Sequence, residues 1–240
     1  MRLFNRMLPI AVLLFLPAPS VFAQTTVDPS GHWEGVVKVP EKEMKIEIDL
    51  AKNGQGNLAG TFGQPTQGVK GLPLSAVAVE DRSVRFVVKG DAEPSTFTGE
   101  LSADGKSISG NVVLTGYTIP FSLTRNGDAR IVPVPKNPPI GKELEGVWNG
   151  TLESGEKKLR LILKMANQPG GTAAGTIVSP DGSGVEIPVA IKQQASNLTI
   201  DVPSVGISYT AVLNAAGTEL AGTWKQAGGA QPLTLHRAAR

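Results

Sequence analysis

The sequence predicts an all-β protein built as two tandem antiparallel β-barrels of about eight strands each, behind a signal peptide. Three observations predict it. The segment Gly31-His32-Trp33-Glu34-Gly35 returns as Gly146-Val147-Trp148-Asn149-Gly150. Within each copy apolar residues alternate with polar ones, the period of a strand with one buried face. Turn signals at Asn53-Gly54, Asp104-Gly105, Asp181-Gly182 and Ala216-Gly217 separate the strands. The same pattern also suits a β-sandwich.

The first element, residues 1–23, reads as a signal peptide. Arg2 and Arg6 form a positive start, Leu8 to Leu16 is apolar, and Val21 and Ala23 occupy the positions a signal peptidase reads. Cleavage is expected after Ala23, and the expected location is periplasmic or secreted. The apolar run falls short of the roughly 20 residues that cross a bilayer. The chain has no cysteine, so neither a lipid anchor at the cleavage site nor a disulfide is expected. No membrane anchor is therefore predicted.

The full chain carries 23 basic and 21 acidic residues. Loss of Arg2 and Arg6 with the signal leaves the two signs in balance. That argues against nucleic acid, which needs a basic stripe, and against a polybasic membrane surface.

The first barrel module is expected over residues 28–126. Met44, Ile46, Ile48 and Leu50 alternate with Lys45, Glu47 and Asp49, and Val84, Phe86 and Val88 alternate with Arg85 and Lys89. A linker follows at 127–142, where Pro133, Pro135, Pro138 and Pro139 hold the chain extended and semi-rigid. The second module is expected over 143–237. Leu159, Leu161 and Leu163 alternate there, as do Leu198, Ile200 and Val202. The register between the copies is tight. Trp33 and Trp148, Gly60 and Gly175, and Pro73 and Pro188 share one offset; after a small deletion Gly110 and Gly222, Pro120 and Pro232, and Arg125 and Arg237 share another.

Catalytic residues are hard to find. His32 and His236 are replaced by Val147 and Thr124 in the other copy, and strand parity turns both towards solvent. No serine sits in a nucleophile elbow, and Ser179-Pro180-Asp181-Gly182 reads as a turn. Without cysteine and with two isolated histidines, no metal cage is expected. The chain is read as a non-enzyme without a cofactor.

What recurs is Gly-x-Trp on the first strand and Arg on the last. In a closed barrel these strands are neighbours, so Arg125 should cover Trp33, and Arg237 should cover Trp148. In these residues the chain resembles the calycin superfamily of lipocalins, fatty-acid-binding proteins and avidins. Each module is also similar, end to end, to the small lipocalin-like β module that precedes the catalytic domain in secreted bacterial α/β-hydrolases. Gly222-Thr223-Trp224-Lys225-Gln226 and Pro232-Leu233-Thr234-Leu235-His236-Arg237 carry that likeness in the second copy, and Gln67-Gly68 before Leu72-Pro73 carries it in the first. The first copy departs from it at Gly110-Asn111-Val112, where the pattern has Trp. The resemblance implies an accessory module without hydrolase activity.

The inner faces are almost wholly apolar, and a barrel of about eight strands either fills itself with side chains or holds one small ligand. A ligand would be small and apolar or aromatic. Tyr209 and Trp224, with Trp148 and Tyr117, are the candidate ligand-binding residues, and the second module is the preferred binder because it carries Tyr209 and Trp224 together. The alternative is a protein-interaction module that presents its outer surface to an exported hydrolase or another envelope partner. Differences between the copies should hold the function: Tyr209 and Trp224 against Phe97 and Val112, and the loops around Gln67 and Asp181.

Overall fold

The structure is a computed structural model that describes residues 27–40, 42–90, 93–114, 116–154, 157–182 and 184–239. The signal peptide expected over 1–23 lies outside the described residues. The first sheet holds β1 (Gly31–Val39), β2 (Lys42–Lys52), β3 (Leu58–Gln64), β4 (Val69–Pro73), β5 (Ala76–Glu80), β6 (Ser83–Val88), β7 (Ser95–Leu101), β8 (Ser107–Leu114) and β9 (Tyr117–Arg125). The second holds β10 (Gly146–Ser154), β11 (Lys157–Gln168), β12 (Thr172–Val178), β13 (Ile187–Pro188), β14 (Ala190–Gln194), β15 (Asn197–Val202), β16 (Ile207–Leu213), β17 (Glu219–Gln226) and β18 (Gly229–Arg237). Single 3-10 turns at Pro65–Gln67, Lys142–Leu144 and Pro203–Val205 are the helical segments among the described residues.

Both sheets are antiparallel and share one order. The first runs β4-β3-β2-β1-β9-β8-β7-β6-β5, and the second β13-β12-β11-β10-β18-β17-β16-β15-β14. The two ends of each sheet are consecutive in sequence, so a short stretch of chain bridges the two edges. In the first module the Leu74 N–H donates to the Gly60 carbonyl at 2.9 Å, and the next N–H, of Ser75, donates to the Val87 carbonyl at 2.9 Å. One stretch of chain thus leaves β3 and joins β6. In the second module β13 and β14 are separated by Val189, whose N–H donates to the Gly175 carbonyl at 3.0 Å. Counting β4 with β5, and β13 with β14, as single bent strands gives the eight-stranded wall expected from the sequence.

The first and last strands meet as expected: Trp33 stands opposite Arg125, and Trp148 opposite Arg237. Gly35 makes the approach possible in the first barrel, since a Cβ there would lie 1.8 Å from the Ser122 carbonyl oxygen. Inside, the period-two residues are buried: Ile46, Ile48, Leu50 and Phe86 in one barrel, and Leu163, Ile200 and Leu235 in the other, are fully enclosed. Such burial contributes about 1.5–3 kcal/mol for each large apolar side chain, which is how a chain without disulfides holds two cores.

The proline-rich segment is extended, but it is no free spacer. The Arg130 N–H donates to Asp49 Oδ1 at 2.7 Å. Farther on, Asn137 is buried against the second barrel. Its carbonyl accepts from the Ala173 N–H at 3.1 Å, its amide donates to the Val189 carbonyl at 3.0 Å, and its Oδ1 accepts from the Ile191 N–H at 2.8 Å. Asn137 therefore laces β12 to β14 where the wall changes partners.

The barrels also touch each other. Gly90 and Val185 form an antiparallel bridge, and the Glu186 N–H donates to the Lys89 carbonyl at 3.2 Å. Val185, Ile187 and Val205 pack against the core of the first barrel. The Glu186 carboxylate is 6% exposed and sits between Lys89 Nζ at 2.5 Å and Lys164 Nζ at 2.8 Å. Burial raises its pKa, but the two ammonium groups outweigh burial and hold it below the ordinary value.

Candidate functional site

Each barrel has a floor built from the repeat. The Arg125 guanidinium lies 4.6 Å from the centre of the Trp33 ring, and that of Arg237 lies 4.3 Å from the centre of Trp148. Arg125 donates from Nε to the Gly105 carbonyl at 2.8 Å, from Nη2 to Asp28 at 2.6 Å, and from Nη1 to Ser30. Arg237 repeats the set with Gly217 at 2.8 Å, Glu145 at 2.6 Å, and Glu143. The indole N–H groups donate to Pro29 at 3.0 Å and Leu144 at 2.9 Å. Every donor aims at backbone, so the floor is structural. Trp148, expected also as a ligand residue, has its indole N–H engaged here.

The cavity is in the first barrel. It encloses about 150 Å³ at the mouth opposite the floor. Met44, Phe62, Val88, Phe97, Val112 and Leu114 form its apolar wall, Gln64, Gln67 and Ser95 add polar groups, and Val185 reaches in from the second module. Phe97 stacks on Phe86, with ring centres 4.6 Å apart, and meets Phe121 edge-on at 5.3 Å, so packed rings form the wall beneath the cavity.

The second barrel is filled at the matching place. Phe97 pairs with Val112 across β7 and β8, and Tyr209 pairs with Trp224 across β16 and β17. Trp224 thus occupies the volume that the smaller Val112 leaves open. It is buried, with its ring centre 6.4 Å from that of Tyr209. The Tyr209 hydroxyl donates its single proton within a bifurcated contact to the Leu220 and Leu233 carbonyls, at 2.7 and 3.1 Å. Burial pushes its phenol well above the ordinary pKa. Tyr209 and Trp224 act as core. The preference for the second module is corrected accordingly: the large side chains that suggested a ligand are themselves buried in its core. Tyr117 is corrected too, because it opens β9 at the hairpin end and is 72% exposed.

The histidines are far from the cavity. His236 is exposed on β18. His32 differs from expectation, since its side chain is 13% exposed. Its Nδ1 lies 2.9 Å from Asp49 Oδ1 and its Nε2 lies 3.1 Å from Glu34 Oε1. Burial lowers its pKa, and the hydrogen bonds to Asp49 and Glu34 outweigh that and raise it. Ser179-Pro180-Asp181-Gly182 is a turn, closed by the Gly182 N–H on the Ser179 carbonyl at 3.0 Å. Asp181 receives the Arg160 guanidinium, which holds its carboxyl at about 2. No group of three or more His, Cys, Asp or Glu residues suited to a metal occurs among the described residues.

A broader groove lies on the outer face of the second barrel. Pairing of β10 with β18 covers three residues and stops at Gly150 opposite Leu235, whereas β1 and β9 pair over five. Beyond that point Thr151, Arg160, Ile162, Pro232 and Thr234 line an open groove of about 1100 Å³.

Sequence reasoning missed Gln64. A signal existed, because Gln64 follows Phe62 by two residues and so breaks an apolar inner face. It was masked by Pro65, which reads as the start of a loop.

No family model matches the chain, and no curated protein matches it. Solved structures that align with it include two at low identity. One is a provisionally assigned outer membrane protein from Bacteroides fragilis, with 13% identity and a TM-score of 0.27, covering 88% of this chain and 97% of that one. The other is a protein of unknown function of the DUF3598 family from Nostoc punctiforme, with 15% identity and a TM-score of 0.26, covering 90% and 98%. Neither likeness is close enough to carry an argument about this chain. Among the described residues no helix is long and apolar enough to cross a membrane, which says nothing of strands.

Proposed function

We propose that this chain is an exported, non-catalytic barrel protein that holds one small apolar or aromatic ligand in its first barrel. The observation that carries the reading is the contrast between equivalent positions. Val112 leaves about 150 Å³ open where Trp224 fills the second barrel. Apolar cavities of this order accept single-ring molecules such as benzene. The non-catalytic part rests on the sequence and on the histidines, which stand on outer faces with His32 engaged by two carboxylates. Export rests on the signal expected at residues 1–23.

Val112→Trp tests it. The substitution copies the second barrel's solution into the first. Toluene should bind the wild-type protein, measured by calorimetry, and should not bind the variant, whose thermal stability should be kept. Equal binding to both proteins would place the ligand elsewhere.

A second reading is favoured by the early end of the β10–β18 ladder, which opens the outer groove. An exported hydrolase or other envelope partner could dock there, as the resemblance to hydrolase-associated modules implies. An exported partner that co-purifies with the wild type should then be lost with Ile162→Lys and kept with Val112→Trp.

A further inference from the structure

Of the three polar residues that line the cavity, Gln64 is the buried one; Ser95 is half-buried and Gln67 exposed. Gln64 is 7% exposed and lines the cavity. Among the described residues its side-chain amide has no hydrogen-bond partner. A primary amide brings two donor hydrogens and an acceptor oxygen. An unpaired one beside an open volume is available to whatever enters that volume.

The backbone holds Gln64 in place from both sides. Phe62 pairs with Leu72 and Gln64 with Val69, so β4 carries one extra residue across the pair. The bulge contains Gly71, whose φ of +64° is the left-handed region that suits glycine. Directly after Gln64 the chain enters the Pro65–Gln67 turn, closed by the Gly68 N–H on the Pro65 carbonyl at 3.0 Å. Period-two parity from Phe62 turns Gln64 to the inner face, and its side chain lines the cavity mouth.

The remaining lining narrows the chemistry. Met44, Phe62, Val88, Phe97, Val112, Leu114 and Val185 are apolar, Gln67 and Ser95 are neutral polar groups, and no charged side chain is among the lining residues. A charged ligand would lose its hydration without a counter-charge. A neutral ligand with a donor and an acceptor side by side could instead pair with the amide on both edges.

We infer that Gln64 is the recognition group of this cavity, and that the ligand is a small neutral ring bearing adjacent hydrogen-bond donor and acceptor atoms, as in a cyclic amide. The inference rests on the cavity reading above and adds the ligand class and the residue that selects it. The matching residue of the second barrel, Ser179, also has a buried hydroxyl without a partner, but its short side chain stands in a barrel already filled by Trp224.

The test uses the mature protein, with 2-pyridone as the cyclic amide and toluene as the apolar ring, each titrated by calorimetry. Gln64→Met keeps the side-chain length and removes the amide. It should weaken 2-pyridone about tenfold or more, as removal of a hydrogen-bonding partner does in sites built around one, and leave toluene within about threefold. Equal changes for the two probes, or none for 2-pyridone, overturn the inference while toluene binding leaves the cavity reading standing. Failure of toluene to bind the wild type overturns the cavity reading itself. Should the variant not fold, the Gln64 side-chain amide resonances of the wild type decide: they should shift with 2-pyridone and stay with toluene, and unmoved resonances under 2-pyridone overturn the inference.

Discussion

The Arg237 guanidinium lies 4.3 Å from the centre of the Trp148 ring and donates to backbone carbonyls on two separate segments, at Gly217 and at Glu143 and Glu145. Arg125 and Trp33 repeat the arrangement. One side chain thus fastens the entering chain, the last strand and a hairpin turn over the barrel floor.

Trp33→Ala and Trp148→Ala should therefore each cost about 3–5 kcal/mol, as large buried aromatics do. Arg125→Lys and Arg237→Lys should cost about 1–3 kcal/mol, because an ammonium point charge cannot serve three carbonyls from one planar fork. Urea denaturation checks both. Losses under about 1 kcal/mol for the tryptophans would contradict a floor role.

Asn137 is expected to matter more than its place in a linker suggests. Asn137→Ala leaves the Val189 carbonyl and the Ile191 N–H without their partner. The cost should be about 1–3 kcal/mol, with faster hydrogen exchange at the Ile191 amide.

Acid should loosen the contact between the barrels. Glu186 is held below the ordinary carboxylate value of 4.5 by Lys164 and Lys89, against the effect of burial. Its contribution is fully present above that value and is lost as the pH falls through the lower folded value. Exchange at the Glu186 amide, which is bonded to the Lys89 carbonyl, should rise on acidification. Glu186→Gln should remove that dependence on pH.

His32 works in the opposite direction. Burial opposes its charge, but Asp49 and Glu34 raise its pKa above 6.5. Its stabilising contribution is complete below that value and is lost as the pH rises through the raised folded value. An NMR titration of the imidazole should give a midpoint above 6.5, and Asp49→Asn should lower it.

Much of this was legible in the sequence. The period-two alternation around Ile46, Ile48 and Leu50, and the recurrence of Trp33 with Arg125 as Trp148 with Arg237, determined two antiparallel barrels and the partners at each floor. Those features are local, or are repeated in the chain, and strand parity alone says which face a residue takes. Tertiary structure decided which barrel has room. That turns on Val112 opposite Phe97 and Trp224 opposite Tyr209, because free volume is a sum over side chains from several strands and no single strand displays it. It also decided that Asn137 closes a wall, that Glu186 joins two barrels, and that Gln64 lines the first barrel's cavity. Each depends on groups far apart in sequence being brought within hydrogen-bond or ion-pair reach, or around one empty space.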